Sequence, residues 1–416
     1  MKTRLFFSIF SFLIVQSTFS QETTVNLSLG AGYANQVYYK LSTQTQTDFV
    51  ANSWDIAFSR TSSYNFGLRV NDGIGIEVFE AANSASDWST IDVANEASWT
   101  KVYNIDTSWS DGAFTQGSAT YGWGEYNSTT HHVNGTIIFV LKYVDGSFKK
   151  FICEDFYGGY SIKYASWDGN AWGEDKTATI ANSNNTDNNY NYYSLQNDAE
   201  VVAEPAASDW DFVFRKYTTD VSMGNGNSVK YNVTGVLQSD AVTVAKATGD
   251  DTSNLTYSEN INSIGSDWKS FNMQAYSYDV NSDAKYYIKD ENGTIYKMYF
   301  THFSGSTLGN IEFNFEDVTQ SLGVDTVGES VAFGVYPNPI NSSKKINIIF
   351  DVNKVNKNEN NVEIFNLSGQ RVLKTNLTNA QGFYNQEVDL GSLNSGVYML
   401  KFNSGNYQKI RKIVIQ

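Results

Sequence analysis

Three histidines, one cysteine and a crowd of aromatic rings are the side chains of this 416-residue chain whose types could do chemistry. His131 and His132 adjoin in YNSTTHHVNG, which reads as a loop ahead of a strand, and His302 stands in YFTHFSG. An imidazole, or the thioether of Met298, is a side chain able to ligate a metal when it faces a slot. Successive strand residues point to opposite faces, so His131 and His132 cannot both reach one such centre from the same side. Met298 alternates with Tyr296 and Phe300, which is also the pattern of a core residue. Trp109, Phe114, Tyr121 and Trp123 crowd into WSDGAFTQGSATYGWGEY (109–126) beside four glycines. Flat rings on such a loop suit stacking on a ring-shaped ligand, and they equally suit closing a core.

Other chemistries find less support. None of G-x-S-x-G, H-E-x-x-H or G-x-x-x-x-G-K-[ST] occurs, so no catalytic residue and no metal site is expected. Cys153, in FICEDF, is the single cysteine; a disulfide scaffold is excluded and a buried thiol is expected. The first twenty residues carry +2 and residues 331–416 carry +5, which leaves −22 on residues 21–330 of a chain with net charge −15. Such a body repels phosphate backbones, so nucleic-acid binding is not expected. Residues 1–20 have Lys2 and Arg4, an apolar run from Leu5 to Val15, and small Thr18 and Ser20 before Gln21. That is the layout of a secretory signal peptide. No later run is long enough to span a bilayer as a helix, so the mature chain is expected to be exported and not membrane-spanning.

Strands must position these groups. Apolar residues alternate with period two along the body, and no helical pattern lasts three turns. Tyr38-Tyr39-Lys40-Leu41 precedes Trp54-Asp55-Ile56-Ala57-Phe58, and Tyr192-Tyr193-Ser194-Leu195 precedes Trp210-Asp211-Phe212-Val213-Phe214. Each set is followed by a hairpin, at Asp145-Gly146 and at Asn292-Gly293, dipeptides that suit a type I′ turn. The expectation is an all-β chain: two tandem antiparallel sandwich units related by duplication, 21–180 and 192–320, joined by an Asn-rich linker, 181–191. A spacer, 321–332, leads to a small C-terminal β-sandwich, 333–416, with Pro337 and Pro339 at its entry and a hairpin at Ser368-Gly369.

Two resemblances attach to these motifs. YPNP (336–339), IFNLSGQRV (364–372), LNSGVYMLKF (393–402) and a basic-apolar final strand resemble the C-terminal sorting domain (type A) of the type IX secretion system of Bacteroidetes. The resemblance implies passage across the outer membrane by the secretion machinery, and a body secreted or held at the cell surface. The two W-D strands, GSDWKSFNM (265–273) and the hairpin region 286–313 resemble the HmuY family of haem-binding surface proteins. That resemblance implies an all-β fold, no enzymatic activity, and haem held by axial side chains, for which His132, His302, His131 and Met298 are the candidates. A carbohydrate- or protein-binding adhesin without haem, with Trp109, Phe114, Tyr121 and Trp123 as stacking residues, is the alternative expectation, and an exported hydrolase is the next.

Overall fold

The computed structural model describes residues 22–60, 65–183, 187–319, 333–341, 343–352, 360–404 and 407–416. The expected leader, 1–20, and the spacer, 321–332, lie outside these residues. Two compact units emerge, a body, Met1–Gly323, and a tail, Val324–Gln416.

Antiparallel strands dominate the body, as the period-two pattern requires. Its first half contains β1 (Thr23–Ser28), β2 (Asn35–Lys40), β3 (Thr45–Val50), β4 (Ile56–Ser59), β5 (Leu68–Val70), β6 (Glu77–Ala82) and β7 (Thr100–Val102). These are followed by β8 (Gly124–Tyr126), β9 (Val133–Gly135), β10 (Ile138–Lys142), β11 (Phe148–Phe156) and β12 (Gly159–Ser166). The second half opens with β13 (Lys176–Ala181), β14 (Tyr190–Ser194), β15 (Ala199–Val201), β16 (Phe212–Gly224), β17 (Asn227–Gln238) and β18 (Val242–Thr248). It closes with β19 (Lys269–Asn272), β20 (Ser277–Val280), β21 (Ala284–Asp290), β22 (Ile295–Phe303) and β23 (Asn310–Asp317).

The sheets show the duplication in their strand order. One sheet runs β13-β12-β11-β10-β6-β7, and its counterpart runs β1-β23-β22-β21-β18. The facing sheets run β15-β14-β4-β5 and β3-β2-β16-β17. Apart from β7, which extends the first sheet by one strand, each strand of one half has an equivalent in the other. Yet the units read from the sequence are not closed on themselves, because the opening strands change places. β2 pairs with β16, and β14 pairs with β4. Packing therefore makes two modules, A from residues 51–205 and B from residues 22–50 with 207–319, each around its own core. The exchange is a strand swap within one chain.

The swap is held by the same chemistry twice. Trp54 packs edge-on against Tyr192 at 4.9 Å, and Trp210 against Tyr38 at 5.1 Å. The Asp55 amide donates to Tyr193 O, and its Oδ2 accepts from Leu195 N at 2.7 Å. The Asp211 amide donates to Tyr39 O, and its Oδ2 accepts from Leu41 N at 2.8 Å. In each W-D motif, then, the ring buries area while the carboxylate caps the end of the Tyr strand. One difference breaks the match: Asp211 also meets Lys40 Nζ at 2.7 Å.

Both hairpins form, with a different turn from the type I′ expected. Tyr143 N donates to Ser147 O, and Asp290 N donates to Thr294 O, leaving three-residue loops. Only the glycine has positive φ, 84° at Gly146 and 83° at Gly293, which is the type I turn plus left-handed residue. A type I′ turn needs positive φ at two residues. Ser368-Gly369 in the tail closes in the same way.

The tail has a three-stranded sheet, Phe333–Tyr336, Lys345–Val352 and Gly382–Asp389. A four-stranded sheet orders Arg371–Asn376, Asn361–Phe365, Gly396–Ser404 and Tyr407–Ile415. Ile346, Phe350, Ile364, Leu400, Phe402 and Ile413 fill the core of this β-sandwich.

Candidate functional site

Each module carries a short hairpin, β8/β9 in A and β19/β20 in B, lying against the strand that follows the glycine turn. A tryptophan roots each one. Trp123 and Trp268 are fully buried, and their Nε1 atoms donate to Phe66 O and Gly265 O. Three residues on, Tyr126 and Phe271 stand on the exposed stretch of the hairpin. The W-x-x-[YF] spacing at 123–126 and 268–271 is a repeat that the W-D strands overshadow. It is the sequence signal for both clefts.

The cleft of module A has a volume of about 710 Å³. Phe66, Val133 and Phe156 form its apolar floor, and Tyr121, Tyr126, His131 and Tyr157 form its rim. Phe66 lies 5.2 Å from Tyr121 and 5.5 Å from Phe156, ring to ring. The hairpin tip is tied down by Asn127, whose Oδ1 accepts from Thr129 N and Thr130 N. The His131 amide donates to Asn127 O, and its backbone adopts φ 63°, a conformation that side-chain-bearing residues rarely hold. That conformation sets His131 Nδ1 2.7 Å from Tyr126 Oη at the mouth. Cost in backbone strain at one rim residue motivates a functional reading of it.

His132, the neighbour, takes no part in the rim. Its Nδ1 lies 2.8 Å from Asp155 Oδ1, and its ring stacks flat on Tyr157 at 4.5 Å. His132 thus braces the outer side of Tyr157. Phe66 and the Phe156-Tyr157 pair escaped the sequence reading because they come from two stretches of chain some ninety residues apart.

His302 lies in module B, in a groove of about 620 Å³ beside Tyr276, Tyr278 and Phe303. The groove flanks the Gly305 turn just as the first cleft flanks the Gly158 turn, and those glycines have φ 70° and 68°. The three histidines accordingly fall into two modules and three settings.

Other candidates take structural places. Met298 is fully buried between β21 and β23, so its sulfur faces packing partners and no open slot. Phe114 and Trp123 are core residues of module A and offer no exposed face for stacking. Their loop had to fold inward, because the sheet of module A leaves an apolar face to cover. Trp109 joins the modules: its Nε1 donates to Gln238 O and its ring lies 5.9 Å from Trp210. Of the four proposed stacking rings, Tyr121 is the one at the cleft of module A. Cys153 is fully buried, and burial pushes its thiol well above the ordinary value, which leaves little thiolate. Among the described residues, no group of three or more His, Cys, Asp or Glu could hold a metal ion.

Fold and site together define an all-β body with two clefts, one ring-lined and apolar. The tail identifies how it travels. Residues 334–416 match the secretion system C-terminal sorting domain. The protein is exported through that system, engages its machinery, and is secreted or attached at the outer-membrane surface. Among the described residues, no helix is long and apolar enough to cross a membrane. No curated protein matches the chain.

Proposed function

We propose that the exported body is a non-enzymatic capture protein for a flat ring ligand, taken into the cleft of module A. The observation that carries this reading is a polar pair, Tyr126 and His131, set over an apolar aromatic floor. A volume of about 710 Å³ suits a small-molecule ligand. Rings with open faces supply stacking, and the pair supplies orientation.

Haem is the first ligand to test, on the strength of the HmuY-like motifs. The residues fit attachment from one side: the His131 imidazole or the Tyr126 phenol would hold iron, since both kinds of group serve as haem ligands. They do not fit a histidine pair. His132 is engaged by Asp155 and Tyr157, and His302 belongs to the other module. When bound, haem would bring iron coordination to the site; the chain's own part is to stack, orient and exclude water.

Titration of the full chain with hemin tests the reading. A Soret shift that weakens at least fivefold in Tyr121→Ala and in His131→Ala is expected. Iron-free protoporphyrin should still quench the tryptophan fluorescence of His131→Ala. An unchanged hemin spectrum removes haem, and failure of both porphyrins to bind removes the flat-ring reading. Release of product from any bound ligand would replace capture by catalysis.

A further inference from the structure

The groove of module B occupies the position equivalent to the proposed cleft, yet its lining is of another kind. Tyr276 is 82 % exposed and Phe271 46 % exposed on the β19/β20 hairpin. Phe271, Tyr278 and Phe303 continue inward as an edge-to-face ladder, with ring spacings of 5.2 and 4.7 Å. Opposite the rings stand small hydroxyl side chains and His302. The His302 imidazole and the Ser306 and Thr307 hydroxyls have no partner among the described residues, so their donors and acceptors are free for a ligand. The Tyr276 backbone is held at φ 51°, a second strained rim residue at the tip of the equivalent hairpin.

Charge narrows the ligand. Among the described residues no lysine or arginine lines the groove, and its carboxylate, Asp279, accepts from Asn272 Nδ2 at 2.8 Å. An anionic ligand would meet a carboxylate and no cation. A porphyrin would leave polar groups unpaired, which costs free energy. Exposed rings facing a row of hydroxyls and one imidazole match a sugar ring: its apolar face stacks, and its hydroxyls find donors and acceptors at the edge.

We infer that the groove bounded by Tyr276, Phe271 and His302 is a second binding site, which takes a neutral polysaccharide chain. The inference stands apart from the ligand of module A. Duplication would then have produced one scaffold with two clefts of different taste, one for a flat apolar ring and one for sugar.

Affinity electrophoresis of the full chain through gels containing β-1,4-glucan, β-1,3-glucan, xylan or mannan tests this, with alginate as the anionic control. At least one neutral polymer should retard the protein, and alginate should not. Titration calorimetry with the matching hexasaccharide should show at least a tenfold loss of affinity in Tyr276→Ala and a severalfold loss in His302→Ala. Tyr121→Ala, in the other cleft, should bind as the wild type does. Tyr276 is exposed at a hairpin tip, so its variant should retain the wild-type unfolding midpoint, and that midpoint is checked alongside. Absence of retardation by every neutral polymer, or retardation that survives Tyr276→Ala, would overturn the proposal. Stronger retardation by alginate than by the neutral polymers would overturn it too.

Discussion

Modules A and B share strand order, turn glycines and the W-D lock, and they part company at their clefts. In A the root of the hairpin is Trp123-Gly124, and Gly124 lies so close to β9 that a Cβ there would stand 2.4 Å from Asn134 O. In B the same place holds Trp268-Lys269, and the Lys269 chain runs inward, its Nζ 4.3 Å from the Trp268 ring and donating to Thr234 O. Backbone presses on backbone at the first root, and a half-buried lysine side chain fills the same place at the second; beyond them the first cleft is lined by aromatic and apolar groups and the second by serine and threonine hydroxyls as well. The comparison teaches that the sheet-and-lock scaffold tolerates divergence where the hairpin meets the turn. Binding character is set there.

The comparison breaks most readily at the locks. Trp54→Ala and Trp210→Ala each empty a fully packed site, so each should cost about 3 to 5 kcal/mol. Urea unfolding should give two similar losses; a neutral effect at either tryptophan would deny the equivalence.

Next in size is a pH effect confined to module A. Glu204 is buried there, accepting from Tyr190 N at 2.7 Å and Tyr192 Oη at 3.0 Å. Desolvation pushes its carboxyl up from 4.5 to about 7. The folded state therefore holds this proton more tightly than the unfolded chain does. Its contribution is full below pH 4.5 and is lost as pH rises through 7, roughly 3 kcal/mol in all. Glu204→Gln should remove that slope and be the more stable protein at pH 8, as unfolding series at pH 5 and 8 would show.

Lys269 supplies the opposite slope in module B. Burial lowers its ammonium from 10.5 to about 7, so the unfolded chain holds the proton more tightly between those values. Its penalty fades as pH rises from 7 towards 10.5, and Lys269→Met should flatten stability over that window. Together the two groups should place a minimum of stability near pH 7 in the wild type. A monotonic profile from pH 5 to 10 would contradict the pair. The smallest effect on the fold should come from the cleft rims: Tyr121→Ala and Tyr276→Ala should each shift stability by less than about 0.5 kcal/mol while separating the two binding activities.

Much of this was legible in the residues themselves. Alternation fixes strands because side chains on a pleated chain face opposite sides, and Gly146 and Gly293 punctuate them because only glycine adopts the needed backbone at no steric cost. The W-D motifs announced the duplication, and YPNP with the closing basic strand announced the sorting tail. The rim residues Tyr121 and His131 were in view as well. What sequence could not settle was partnership. Both Tyr strands end in the same Tyr-Tyr-x-Leu chemistry and both W-D strands offer the same edge. Local preference is therefore indifferent to whether β2 pairs with β4 or with β16, and packing of the whole body decides. The same holds for the rings: Phe114, Trp123 and Met298 have the composition of ligand-contacting residues, and only long-range contacts bury them. Strand, turn and export were determined along the chain, by interactions a few residues long. Strand exchange, the split of histidines between modules and the contrast between clefts were decided in three dimensions, because the exchange joins partners more than a hundred residues apart, as Trp54 and Tyr192 are, and each cleft gathers side chains from separate stretches of chain.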